Sequence, residues 1–270
     1  MFSFFCNIIK RNLLMESRYF QSVLILFFVI VFSLNVSAQS ALIDDIDYNQ
    51  DSRSLVFMLN NNGFSSGFRF SKRIDGYKSR LIDLDLTWYK HPKEERSSGY
   101  YGGRYKFVYG KLNQLLIARA GYGRQKELYS KYSKKGVVIS FYYLLGANVG
   151  LLKPVYFKVV QNPDRNPDGS FKTVDEKFVE EKGIHIFERA SFFKGFDEID
   201  LAFGAYARAA FSFDINKKYK GVNTLELGAS VDFFHKPLPL MASNPKHPYI
   251  FTLFIAYRFG QKHDTSIKLE

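Results

Sequence analysis

Nine ionisable side chains recur at alternate positions inside otherwise apolar runs: Arg69, Arg119, Arg208 and Arg258, against Asp83, Asp85, Asp200, Glu226 and Asp232. Alternate positions of a strand share one face, so these groups would converge on an enclosed interior. The chemistry open to such a set is a proton path, a substrate site, or a set of salt bridges that fills the space. Buried charges are costly unless paired and hydrogen-bonded. Four cations against five acids nearly cancel, so the set reads as a salt-bridged plug.

A second group could support acid–base chemistry. His91, His185, His235 and His247 fall on one side of the topology developed below, together with Glu94, Ser97, Ser98 and Glu188, where a lipid-modifying enzyme would hold its base. Loop histidines are more often solvated, and no Gly-x-Ser-x-Gly, His-Glu-x-x-His or phosphate-cradling glycine loop accompanies them. Asp45, Asp47, Asn49 and Asp51 alternate like the start of a calcium loop. However, Gln50 stands where the turn glycine belongs and Val56 where the bidentate glutamate belongs, so a flexible acidic arm over 39–53 is expected. No catalytic residue, metal site or cofactor is expected.

The elements that must position the interior charges are strands. Residues 199–214 put Leu201, Phe203, Phe211 and Phe213 on one face and Asp200, Tyr206, Arg208 and Ser212 on the other, and 223–233 and 81–90 repeat that period of two. Segments 54–61, 64–71, 112–123, 136–152 and 249–259 are compatible, giving eight. The expectation is an all-β antiparallel transmembrane barrel of about eight strands over 54–259, because lipid cannot satisfy open backbone groups. A soluble sandwich would share the alternation.

The one long apolar run, Val23–Leu34, has 12 residues, fewer than the roughly 20 a spanning helix needs. With Arg18 before it and Val36-Ser37-Ala38 after it, residues 1–38 read as a signal peptide cleaved after Ala38. Initiation at Met15 would leave a signal of ordinary length. The lone cysteine, Cys6, would leave with that segment, so neither a disulfide nor a lipidated cysteine is expected in the mature chain.

Connection lengths alternate as a barrel with both termini periplasmic requires. Links 72–80, 124–135 and 215–222 are short; 91–111, 153–198 and 234–248 are long and would lie outside. The first link is a tight turn at Asn61-Asn62-Gly63. This topology sorts outward aromatics into two belts. Phe70, Tyr122, Phe211, Phe213, Tyr257 and Phe259 fall at one level, and Phe64, Trp88, Phe233 and Tyr249 at the other. The last strand closes on Tyr257-Arg258-Phe259. That ending resembles the assembly signal of outer-membrane β-barrels, and with eight strands and an Ala38-Gln39 junction the chain resembles the small outer-membrane barrels of Bacteroidota. The resemblance implies an outer-membrane location but no particular activity. The 11-residue tail 260–270 departs from the usual ending and would be periplasmic.

Charge points to partners. Loss of Lys10, Arg11 and Arg18 against Glu16 lowers the net charge from +12 to +10. Much of that excess falls on a basic periplasmic rim, Lys72, Arg73, Lys131, Lys134, Lys135, Lys217, Lys218 and Lys220, suited to anionic headgroups or to a docked protein. Nucleic acid is not an expected partner of an exported barrel. The longest link carries Asn162-Pro163-Asp164 and Asn166-Pro167-Asp168-Gly169, turn chemistry that predicts a hairpin with arms 155–160 and 170–174. Phe192, Phe193 and Phe196 follow as an exposed apolar cluster suited to a protein partner, or as a cap on the barrel mouth. The functional expectation is a non-enzymatic accessory subunit of a secretion or outer-membrane protein assembly complex. A lipid-modifying or hydrolytic barrel enzyme and a small-solute channel are the alternatives.

Overall fold

The computed structural model describes residues 50–99, 105–129, 137–161, 171–178, 185–215, 221–242 and 246–264. The expected signal peptide, most of the acidic arm, the Asn-Pro-Asp turns and the rim lysines Lys131, Lys134, Lys135, Lys217, Lys218 and Lys220 lie outside the described residues. The strands are β1 (Gln50–Asn60), β2 (Gly63–Asp75), β3 (Lys78–Tyr89), β4 (Arg96–Ser97), β5 (Phe107–Val108), β6 (Asn113–Tyr129) and β7 (Val138–Pro154). There follow β8 (Tyr156–Val160), β9 (Thr173–Lys177), β10 (Ile186–Arg189), β11 (Asp200–Asp214), β12 (Gly221–Phe234) and β13 (Tyr249–Asp264). Eight of them close an antiparallel barrel in the order β1-β13-β12-β11-β7-β6-β3-β2.

Why these eight close is visible on their two faces. Between the aromatic levels every outward side chain is apolar or aromatic except Ser66, and large ones such as Leu59, Phe68, Leu84, Leu145, Phe203 and Ile255 stand open. A soluble protein rarely exposes so continuous an apolar surface. Tyr249–Phe259 alone rises about 25 Å at the usual strand tilt, the height of a transmembrane β-barrel's apolar band. The wall is therefore a lipid-facing wall, and the inward face carries the polar alternates. Aromatics pair across strands at the two levels: Phe64 opposite Trp88 and Phe233 opposite Tyr249 at one end, Phe57 stacked on Phe259 and Phe141 beside Phe211 toward the other.

Several boundaries differ from expectation for one reason, that strands run past the apolar span. Gln50–Arg53, expected in the arm, pairs with Gln261–Asp264, expected in the tail, because closing the barrel lets each terminal strand template the other. Likewise β2 and β3 meet at a two-residue turn, 76–77, so Lys72, Arg73, Lys78 and Arg80 lie on strands and not in a loop. At Asn61-Asn62-Gly63 the positive φ falls on Gly63 (133°), and no non-glycine residue described has one. A Cβ there would lie 2.0 Å from the Trp88 carbonyl oxygen.

The end bearing the long connections carries a small second fold. The expected hairpin is present as β8 against β9, displaced so that its second arm runs to Lys177. A third strand, β10, which the turn pattern did not announce, adds to the other edge of β8. Phe107 from the preceding connection joins Phe157, Val159, Phe178 and Ile186 in a separate apolar core beneath this sheet.

Candidate functional site

Eight of the nine expected interior charges form one unbroken alternating chain. Arg258 Nε lies 2.9 Å from Glu226 Oε1. Glu226 accepts from Arg69 Nη1 at 2.7 and 2.9 Å. Arg69 donates onward to both Asp83 oxygens at 3.2 and 3.3 Å. Arg208 bridges Asp83 (2.6 Å) to Asp85 (2.7 Å). Arg119 bridges Asp85 (3.1 Å) to Asp232, which it grips with two bonds of 2.8 and 2.6 Å. All eight are at most 5% exposed, and four cations match four anions.

Asp200 is the correction. It lies on the inward side by alternation but at the first position of β11, at the end that bears the long connections. Its side chain is 61% exposed and pairs with Lys236 at 2.6 Å. Periodicity sets the face of a residue, not its depth.

Uncharged residues complete the chain, and the sequence reading missed them. Tyr142 OH donates to Glu226 Oε2 (2.7 Å) and accepts from Arg69 Nη2 (3.2 Å), while the Arg69 guanidinium sits 4.4 Å from that ring's centroid. Asn148 Nδ2 donates to Asp232 Oδ1 (2.8 Å), and the Thr87 hydroxyl donates to Asp85 Oδ1 (3.2 Å). Each is an inward alternate, which was the signal that could have found it. Tyr206 reaches from β11 across Gly146 on β7 to Gly121 on β6, and a Cβ on Gly121 would be 2.0 Å from its hydroxyl oxygen. At the long-connection end Tyr89, Leu115, Leu152, Phe234, Leu238 and Ile250, with Leu240 against them, pack into an apolar stopper above the ionic chain.

The candidate acid–base residues do not meet at one centre. His91 and His247 line a shallow pocket with Tyr89, Tyr249 and Met241. His91 Nδ1 accepts the Lys93 N–H (3.2 Å), and burial lowers its pKa below the ordinary histidine value. His235 Nδ1 is engaged with the backbone of Phe203. Glu94 holds Lys111 at 2.8 Å and the His91 N–H, and Glu188 holds Lys158 at 2.8 Å and the Tyr105 N–H. Ser97 lies in β4 opposite Phe107, and His185 just precedes β10.

Phe192, Phe193 and Phe196 form a mutually packed trio with centroids 5.6 to 6.4 Å apart. The trio does not cap the mouth, because the stopper already fills it. Phe192 stacks at 6.1 Å on Trp88, an outward residue, and Lys153, another outward residue, lies 4.9 Å from its ring centroid. The trio thus continues the wall's outer surface, and Phe193 is 79% exposed. At the opposite end, Arg73 is a second correction: expected on a free rim, it lies on the inward face and pairs with Glu127 at 3.0 Å.

No family model and no curated protein matches the chain. Among solved structures, the chain is similar to Ail, the attachment invasion locus protein of Yersinia pestis, in complex with the heparin analogue sucrose octasulfate. There the TM-score is 0.35 and the identity 8%, covering 80% of this chain and 99% of that one. It is also similar to Neisserial surface protein A, with a TM-score of 0.34 and 10% identity over 78% of this chain and 94% of that one. The closed eight-stranded barrel stands on the strand pairing itself.

Proposed function

We propose that this protein is a non-enzymatic accessory subunit of an outer-membrane machine, a secretion or protein-assembly complex, with both termini periplasmic and the long connections outside. The Ala38-Gln39 junction and the terminal Tyr257-Arg258-Phe259 support placing it with the small outer-membrane barrels of Bacteroidota. The observation that carries the reading is the Phe192–Phe193–Phe196 trio, exposed on the outer wall beside Trp88 and clear of the mouth. An aromatic cluster left exposed among the described residues suits a partner lying alongside the barrel. The separately cored β8–β9–β10 sheet gives that partner a rigid neighbour. The filled interior favours an anchor over a solute channel.

The test is a photoreactive side chain at position 193 in native membranes. A discrete crosslinked protein, lost when Phe192 and Phe196 become serine while heat-modifiable mobility is kept, supports the accessory role. Crosslinking to lipid alone contradicts it. Purified protein in planar bilayers should show no stable conductance; a steady ohmic pore would contradict the plug.

A further inference from the structure

Below the aromatic level at the end opposite the long connections, five cations stand on the outward face of three adjacent strands. Lys72 on β2, Arg80 on β3 and Arg124 on β6 are direct cross-strand partners in one row. Lys78 and Lys126 are partners in the next. All five are exposed. Directly opposite side chains have Cβ atoms about 5 Å apart, and like charges so placed destabilise a sheet. Among the described residues none of the five has an ion-pair partner. Of the nearby carboxylates, Glu127 faces inward to Arg73 at 3.0 Å, and Asp75, the cross-strand neighbour of Lys78, accepts the Gly76 N–H at 2.7 Å without an ion pair to Lys78.

Depth says what covers them. The preceding outward row, Phe70–Ile82–Tyr122, is part of the lipid-facing wall. The cationic row begins two residues, about 6.6 Å, further along the strands, about 5 Å deeper toward that end at the usual strand tilt, where the wall leaves its apolar band for the headgroup region. Lys72 and Arg124 stand about 10 Å apart across Arg80, two strand spacings, a span that fits two phosphates better than one. Facing Tyr143 lies beside Arg124, and Phe141 beside Lys126, so aromatic rings border the patch on β7.

We propose that Lys72, Lys78, Arg80, Arg124 and Lys126 form a binding site for an anionic lipid whose headgroup carries two phosphates. The site rests on the lipid-facing wall and not on the accessory role proposed above. Its test uses the full chain in nanodiscs of phosphatidylcholine doped with cardiolipin, or with phosphatidylglycerol at equal phosphate, read by native mass spectrometry and thermal unfolding. The variant is Lys72→Gln, Arg80→Gln, Arg124→Gln, which leaves the interior untouched; retained heat-modifiable mobility confirms its fold. Cardiolipin should be retained at least tenfold better by the natural protein than by the variant, and better than phosphatidylglycerol. Equal retention by both proteins overturns the site, and equal retention of the two lipids overturns the two-phosphate assignment. Protection by inorganic pyrophosphate equal to that by cardiolipin assigns the cations to a soluble anion and overturns the lipid, as does a native protein partner lost from the variant while its cardiolipin binding is unchanged.

Discussion

Arg119→Met tests the ionic chain where it is least redundant. Asp232 is fully buried, and among the described residues Arg119 is the only cation on it, through bonds of 2.8 and 2.6 Å to its two oxygens. After the substitution Asp232 keeps Asn148 at 2.8 Å, and Asp85 keeps Arg208 at 2.7 Å. Stranding one partner of a buried pair costs about 3–5 kcal/mol. With a urea dependence of about 2 kcal/mol per M, the unfolding midpoint should fall by about 2 M. Adding Asp232→Leu removes the stranded carboxylate and leaves three cations against three anions. The double variant should recover part of the loss, with a coupling of about 2 kcal/mol. The assay is a urea titration in lipid vesicles, scored by the heat-modifiable band for the natural protein, both single variants and the double. If the two single effects add to within about 0.5 kcal/mol, the chain is not a coupled unit and the reasoning fails.

Two further outcomes are expected. Gly121→Ala places a methyl group in the slot occupied by Tyr206 and should lower stability by about 1–3 kcal/mol; Tyr206→Phe in that background should restore part of it, because the Tyr206 hydroxyl is buried without a hydrogen-bond partner among the described residues, and a double variant no better than Gly121→Ala would contradict this packing. The His91 turn should loosen with acid. Burial depresses the folded pKa of His91, so the stability it contributes is complete above its unfolded value of about 6.5 and is lost as pH falls through the lower folded value. Amide exchange at Lys93, whose N–H donates to His91 Nδ1, should accelerate beyond its intrinsic pH trend below pH 6, and His91→Ala should abolish that step.

The period of two made the barrel legible, because lipid outside and charge inside leave a strong alternation on every strand. It placed Arg69, Arg119, Arg208, Arg258, Asp83, Asp85, Glu226 and Asp232 on the correct face. It does not give depth, so it sets Asp200 inside with the others, whereas Arg73 falls in the expected link 72–80 and reads as part of the rim. Strand ends were hidden for a related reason: once the wall leaves lipid, both faces turn polar and Lys72 to Arg80 look like a loop. The β8–β9 hairpin was readable from asparagine–proline turns, whereas β10 is four residues long and has no punctuation of its own. The roles of Tyr142 and Asn148 are not legible in the sequence, because they depend on which strands become neighbours; alternation sets Tyr206 on the inward face but not in the slot beside Gly121.

The ionic chain also bears on how the barrel is made. Its pairs join residues far apart along the polypeptide: 157 positions between Arg69 and Glu226, 125 between Asp83 and Arg208, and 113 between Arg119 and Asp232. A partly assembled sheet would therefore carry arginines and carboxylates with no counterparts, at positions facing what will become the interior. A strand misplaced by one residue would turn its charge toward lipid. Neutrality is reached only when the right strands meet in the right register, so an incomplete or misregistered sheet carries unpaired charges whose desolvation cost the closed barrel avoids.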